Sequence, residues 1–174
     1  GMPFDGYPYG FVPMEKETLY RSRGESAPPD LKESFSVGPG KNPPPGLSEE
    51  EALFVYSKNQ WPQYPNEFRR SWEICYRSLS ECAERHMKFF ALVLNLPEDW
   101  FNSFFRSPIS AMLANHYPIL DKPPRAGQFR ASAHSDYGSL TLLVQEEGGS
   151  GLEILNRKEE WVPVMPCKPE LVVN

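Results

Sequence analysis

The hydrophobic pattern of this chain changes its period once, near Pro108, and this change limits the folds open to it. From Asn66 to Asn95, apolar residues recur at alternating spacings of four and three with charged residues between them. This predicts one long amphipathic helix. Pro97 cannot continue it, so we expect Pro97 to open a short second helix that runs to Phe105. The apolar stripe consists of Phe68, Trp72, Cys75, Leu79, Cys82, His86, Phe89 and Val93.

Beyond Pro108 the period becomes two, which is typical of strands. The candidate strands are residues 110–117, 128–134, 138–145, 151–155, 161–164 and 171–173. We expect a hairpin loop at Gly148-Gly149-Ser150-Gly151 and another loop at residues 156–160. Short strands separated by glycine and proline turns predict a sandwich or barrel. The fold class is therefore mainly β with flanking helices, or α+β by content.

The first 65 residues hold 11 of the 19 prolines, and proline forms few ladder or helix hydrogen bonds. We expect a mostly irregular segment that drapes over a neighbouring core. Disorder is the competing interpretation, but the density of aromatic residues argues against it. The expected aromatic anchors are Phe4, Tyr7, Tyr9, Phe11, Tyr20 and Phe35.

Composition excludes several classes of partner. A net charge of −5 and no run of basic residues argue against nucleic acid. No apolar run approaches the roughly 18 residues of a membrane span, and no signal peptide is recognisable at the start. Three cysteines without a C-x-x-C pair suit a reducing compartment, so we expect a cytoplasmic protein. Cys75 and Cys82 are interpreted as small core residues rather than redox partners.

His134 and Asp136 are two residues apart just before an apolar run. In an extended chain alternate side chains share a face, so both could bind one ion. An imidazole, a carboxylate and a second histidine form the facial triad of non-haem Fe(II) oxygenases. Alone, H-x-D is a weak motif that more often marks a solvated turn.

The surrounding residues make the motif far more specific. Residues 130–145, Gly151-Leu152-Glu153-Ile154, Trp161-Val162-Pro163-Val164 and Leu171-Val172-Val173-Asn174 together resemble the iron-binding half of the isopenicillin N synthase-like, 2-oxoglutarate-dependent oxygenases. Asn115-His116-Tyr117-Pro118 is similar to the N-Y-Y-P of that family. The resemblance extends back through Asn59-Gln60-Trp61-Pro62 to Lys32-Glu33-Ser34-Phe35, and so covers nearly the whole chain.

The resemblance implies a double-stranded β-helix, or jelly-roll, that holds Fe(II) and the co-substrate 2-oxoglutarate. It implies that His134 and Asp136 are two of three iron ligands, and that Asn115 and Tyr117 face 2-oxoglutarate. Strand alternation independently puts Asn115 and Tyr117 on one face and His116 on the other. His116 is therefore a poor ligand candidate. Arg130 and Ser132 alternate with His134 and could line a cavity or pair at a rim.

The sequence also departs from the family pattern. The second iron-binding histidine and an Arg-x-Ser that pairs with 2-oxoglutarate would follow Asn174, and an additional strand and helix would precede Phe4. We therefore expect an internal fragment, inactive alone, with residues 1–174 forming one incomplete domain: 1–65 irregular, 66–106 helical and 108–174 a partial jelly-roll. His86 could substitute as a ligand, but a histidine in an apolar stripe is more often a core residue bonded to backbone.

Two functions follow from these observations. The first is Fe(II)- and 2-oxoglutarate-dependent hydroxylation or desaturation of a small organic substrate by the parent protein, or a related reaction with another reductant. The second is a non-catalytic jelly-roll fragment that binds a small molecule or self-associates through open strand edges. In either case open strand edges tend to find partners, so we expect a homo-oligomer.

Overall fold

The computed structural model describes residues 7–19, 28–149, 151–165 and 169–174. The chain divides into two compact units, of which the first ends at Ser135 and the second begins at Asp136. Among the described residues, no helix combines the length and the apolar character needed to cross a bilayer. The two expected anchors Phe4 and Tyr20 lie outside the described residues.

The first unit contains a three-stranded antiparallel sheet. Strands β1 (Gly10–Val12), β2 (Glu33–Val37) and β3 (Met112–His116) lie in the order β1-β2-β3. Phe35 at the centre of β2 is paired with Phe11 on one side and Ala114 on the other. The segment expected to be mostly irregular therefore supplies two of the three strands. Its residues 33–37 contain no proline, so they can form the hydrogen-bond ladders of a central strand.

This N-terminal segment also forms helix α1 (Glu49–Val55), which the sequence analysis did not predict. Ser48 Oγ accepts a hydrogen bond from the Glu51 amide at 3.2 Å, and the Ser48 amide donates to Glu51 Oε2 at 2.8 Å. This reciprocal pair is a capping box, which satisfies two amide donors at the start of the helix. The pattern Ser48-x-x-Glu51 is the sequence signal of this helix start.

Helix α2 (Glu67–Val93) confirms the predicted long helix. It ends in a Schellman motif, since the amides of Asn95 and Leu96 donate to the carbonyls of Leu92 and Ala91 at 3.0 and 2.9 Å. Asn95 has the positive φ of 57° that this motif requires. The second helix is shorter than predicted and consists of a 3-10 turn, Trp100–Ser103.

An aromatic cluster joins the sheet to the beginning of α2. The Phe35 ring lies 4.9 Å from the ring centroid of Trp72, 5.1 Å from that of Phe68 and 6.1 Å from that of Trp61. Farther along α2 most of the stripe is not buried in this chain. Cys75 is exposed and Cys82 is only half-buried, so the prediction that both are core residues is wrong for Cys75 and only partly met for Cys82.

The second unit contains two small antiparallel sheets. Strand β4 (Leu142–Leu143) pairs with β7 (Val172–Val173), and β5 (Glu153–Leu155) pairs with β6 (Trp161–Pro163). The loop between β5 and β6 was predicted. Because β4 pairs with β7 and not with β5, the glycine stretch at 148–151 does not close a hairpin, and that expectation is wrong. Ser150 itself lies outside the described residues.

The predicted strands are longer than the observed ones. Residues 128–134 form no strand and are held by side-chain hydrogen bonds instead. The other strands of the second half contain two or three residues each. Within the described residues, the architecture is thus a partial β-rich fold with two α-helices.

Candidate functional site

Asn115 and Tyr117 lie at the end of β3, where the sheet positions them. In the β2–β3 register Asn115 is opposite the buried Ser34, and His116 is opposite Glu33. A side-chain interaction with Asn115 lowers the pKa of the Tyr117 hydroxyl, so the two side chains lie close together. As strand alternation predicts, His116 is on the other face, where its Nδ1 lies 2.7 Å from Glu33 Oε1. The structure therefore brings Asn115 and Tyr117 together and places His116 apart from them.

The environment of Tyr117 favours its neutral form. Burial raises the pKa of its hydroxyl, the Asp30 charge raises it further, and the interaction with the Asn115 side chain lowers it. Even an unperturbed phenol, with a pKa of about 10, is protonated at neutral pH. Tyr117 is therefore a hydrogen-bond donor suited to an anionic ligand, and almost half of its surface remains exposed, at 46%.

His134 is oriented by the backbone two residues before it. Its Nδ1 lies 2.7 Å from the carbonyl oxygen of Ser132. A carbonyl oxygen can only accept, so Nδ1 carries the proton in the neutral ring, and the lone pair is on Nε2. This is the tautomer used by histidines that bind a metal through Nε2, in which the other ring nitrogen donates to a backbone carbonyl or carboxylate.

Ser132 is itself fixed by a residue from the far side of the sequence. Asp30 Oδ1 accepts a hydrogen bond from the Ser132 amide at 3.0 Å and a short one from the Ser132 hydroxyl. Both residues are 1% exposed. Ser132 therefore neither lines a cavity nor pairs at a rim, which corrects both expectations. Arg130 donates to the carbonyl of Pro118 instead.

Gln128 anchors the same irregular segment at its beginning. Its Nε2 donates to Glu15 Oε1 and to the carbonyl of Pro29, at 3.0 and 2.9 Å. Its Oε1 accepts from the amide and Nε of Arg125 at 3.1 and 3.2 Å. These bonds hold Arg125 and Gln128 in place without a strand ladder. Sequence reasoning missed Asp30 and Gln128, because no periodicity or motif distinguishes a single buried polar residue in a loop.

Asp136 belongs to the second unit and is held within it. Asn174 Nδ2 donates to Asp136 Oδ2 at 3.0 Å. The backbone of Asn174 is in turn paired with that of Thr141, through bonds of 2.8 and 3.2 Å that continue the β4–β7 ladder. The carboxylate is thus tied to the end of a small sheet. The boundary between the two units falls between the predicted ligands, and each ligand is described within its own unit.

The donor types fit a ferrous ion. A neutral imidazole nitrogen and a carboxylate oxygen are the ligands of the 2-His-1-carboxylate site. Within the described parts of the chain no group of three or more His, Cys, Asp and Glu side chains is placed to hold a metal. His86 is therefore not placed with other such side chains as a third ligand. Its Nδ1 lies 2.9 Å from the carbonyl oxygen of Cys82 in the same helix.

Comparison with known proteins agrees with these features. Residues 108–174 match the family model of the 2OG-Fe(II) oxygenase superfamily. A 2-oxoglutarate-dependent dioxygenase, caaD, of Aspergillus niger is 32% identical over 89% of this chain and 48% of its own length. The validamycin A dioxygenase of Streptomyces hygroscopicus subsp. limoneus is 30% identical over 99% of this chain and 46% of its own length.

A solved structure agrees as well. The crystal structure of a 2OG-Fe(II) oxygenase family protein from Caulobacter crescentus is 30% identical to this chain, with a TM-score of 0.74 over 99% of it and 52% of that protein. Residues 108–174 are therefore similar to the 2OG-Fe(II) oxygenase superfamily, and relatives of the chain are named 2-oxoglutarate-dependent dioxygenases. The chain spans about half the length of the curated relatives it matches.

Proposed function

We propose that the protein to which this chain belongs uses Fe(II) and 2-oxoglutarate to hydroxylate or desaturate a small organic substrate. The observation that carries the proposal is the hydrogen bond from His134 Nδ1 to the Ser132 carbonyl, because it selects the metal-binding tautomer within the H-x-D motif. The match of residues 108–174 supports it. A small-molecule substrate is supported by the name of the validamycin A dioxygenase.

In this proposal His134 and Asp136 hold the iron, and the third ligand is not assigned to any residue of this sequence. Asn115 and Tyr117 face 2-oxoglutarate, where the protonated Tyr117 hydroxyl donates to a carboxylate oxygen. Iron, once bound with 2-oxoglutarate and O₂, supplies the oxidising chemistry. The protein orients the ligands and keeps the His134 ring in one tautomer. Assignment to the isopenicillin N synthase-like subfamily rests on the motifs around Asn115 and His134.

Anaerobic titration of the chain with Fe(II) and 2-oxoglutarate tests this proposal. We expect a metal-to-ligand charge-transfer band that disappears in His134→Ala and in Asp136→Ala. His116→Ala is the matched control, because this histidine is exposed and is paired with Glu33 on the opposite face of β3. A band that survives in His134→Ala, or no band at millimolar iron, contradicts the metal site proposed for this chain.

A non-catalytic role is the second candidate, and it rests on the open strand edges of the small sheets. In the described part of the second unit each strand is paired along one edge only. Unpaired edges favour pairing between chains, so self-association stays a prediction. Sedimentation at micromolar concentration measures it, and a monomer there contradicts association through these edges.

A further inference from the structure

Asp30 occupies an unusual position for a carboxylate, since it is 1% exposed and has no cationic partner among its described hydrogen bonds. Its Oδ2 accepts from the Leu19 amide at 2.9 Å, and its Oδ1 accepts from the amide and the hydroxyl of Ser132. A buried carboxylate is costly unless hydrogen bonds compensate for its lost hydration. Two of the three bonds are made to one residue, so the carboxylate fixes Ser132 in both position and orientation.

Ser132 passes this constraint to His134. The amide and hydroxyl of Ser132 bind Asp30, while its carbonyl accepts from His134 Nδ1 at 2.7 Å. Residues 128–134 form no strand, so no ladder otherwise fixes the direction of that carbonyl. The orientation of the imidazole therefore depends on a carboxylate located 102 residues before Ser132.

Asp30 is also close enough to Tyr117 for its charge to raise the pKa of the tyrosine hydroxyl. One buried carboxylate thus acts on Tyr117, which the proposed function places at 2-oxoglutarate, and on His134, which it places at iron.

We propose that Asp30 is a positioning residue of the ferrous site: through Ser132 it fixes the backbone carbonyl that holds His134 in its Nδ1-protonated tautomer. This inference rests on the proposed function for its meaning in catalysis. The link from Asp30 to the tautomer of His134 does not require a bound metal. It can therefore be tested in the metal-free chain.

The first measurement is the tautomer of His134, obtained from long-range ¹H–¹⁵N correlation spectra of the metal-free 174-residue chain at a pH where imidazole is neutral. We expect one tautomer, protonated on Nδ1. In Asp30→Ala both acceptor oxygens are removed, so the amide and the hydroxyl of Ser132 lose their bonds to this side chain. The spectrum should then show a mixture of the two His134 tautomers.

The second measurement is Co(II) affinity, with Co(II) as a stable substitute for the ferrous ion. Loss of partners that orient a ligand typically weakens metal binding by 10- to 100-fold, and we expect about tenfold for Asp30→Ala. The matched control is Lys32→Met. Lys32 is buried like Asp30, but its Nζ pairs with Glu17 Oε2 at 3.1 Å rather than with Ser132. This variant should lower the melting temperature and leave both the tautomer and the affinity unchanged.

A folded Asp30→Ala chain with one tautomer and unchanged Co(II) affinity overturns the inference. If this variant does not fold, Ser132→Ala decides, since it removes one bond to Asp30 and keeps the carbonyl. Retention of a single tautomer there overturns the inference, and a mixture supports it. If His134→Ala binds Co(II) as tightly as the unmodified chain, the proposed iron ligand fails. The tautomer measurement still tests the link from Asp30 to His134 in that case.

Discussion

The two units of this chain are stabilised in different ways. The first contains all twelve of the described residues that are nearly fully buried, and six of them have polar side chains: Asp30, Lys32, Ser34, Ser57, Gln128 and Ser132. The second contains none among its described residues and is held by short ladders and turns. In the first unit a side chain can fix backbone more than 100 residues away. Substitutions there should therefore act at long range, and those in the second unit locally.

The largest effect is expected at Gly38 in the first unit. A Cβ at this position would lie 2.1 Å from Tyr9 Cζ. The ring cannot easily move, because its hydroxyl donates to the Val55 carbonyl at 2.6 Å and it is 5% exposed. Gly38→Ala should lower the free energy of unfolding by about 3 kcal/mol, as overpacking does. Urea denaturation measures this loss.

A double-mutant cycle shows whether that loss comes from Tyr9. Tyr9→Leu removes the atoms that the new Cβ would meet, so Gly38→Ala should cost much less in this background. An equal cost in both backgrounds would mean that the contact with Tyr9 is not the cause. It would also weaken the view that residues far apart in sequence stabilise the first unit together.

One glutamine in each unit allows a direct comparison of how buried polar groups affect stability. Both polar ends of Gln128 are bonded, whereas Gln145 Oε1 in the second unit is buried without a hydrogen-bond partner among the described residues. Gln128→Met should cost about 2 kcal/mol, because the Pro29 carbonyl and Arg125 amide lose their partner. Gln145→Met removes an unsatisfied oxygen and should be neutral or slightly stabilising. If urea denaturation shows the same loss of unfolding free energy for both variants, the two units do not differ in this respect.

The capping box of α1 is a local interaction within the first unit, and its contribution to stability can be measured separately. Ser48→Ala should cost about 1 kcal/mol at neutral pH. The Ser48 amide, and then its hydroxyl, lower the pKa of Glu51 from 4.5. A lowered folded-state pKa gives stability that is present above 4.5 and lost as the pH falls through the folded value. The cost of Ser48→Ala should therefore shrink below pH 4.5, as measured by urea denaturation from pH 7 downwards.

The smallest effect is expected in the β5–β6 turn. Asn156 Oδ1 accepts from the amides of Lys158 and Glu160 at 2.8 and 3.0 Å, and Glu159 has a φ of 63°. Glycine adopts this conformation without the steric cost of a side chain. Glu159→Gly should slow amide exchange in β5 and β6 by an amount equivalent to about 0.5 kcal/mol. Altered exchange in the first unit would contradict the local character of the second.

Periodicity predicted α2 well, because a helix over 27 residues repeats its pattern many times. The end near Asn95 was also predictable, since Pro97 follows and asparagine accepts a positive φ. The strands were overestimated. Alternation of apolar residues gives the side-chain face but not the partner, and strands such as β4 exist only where a partner such as β7 supplies hydrogen bonds.

The candidate site also contains residues that the sequence predicts and residues that it does not. Asn115 and Tyr117 share a face because of strand alternation, so the sequence predicts their proximity. The positions proposed for iron follow from a motif and a resemblance. Asp30, Gln128 and Ser132 could not be assigned as anchors, because their hydrogen bonds connect segments about 100 residues apart. No short pattern encodes such a pair, and only the folded backbone shows it.

The buried Lys32, just before β2, can serve as a probe of local unfolding in the first unit. The Lys32 side chain is 2% exposed and pairs with Glu17. Amine-reactive labels need access from solvent to the lysine nitrogen, so Lys32 should react far more slowly than Lys88, whose side chain is 47% exposed. Because Lys32 is two residues from Asp30, its labelling rate reports how often the segment that restrains His134 separates from the rest of the first unit.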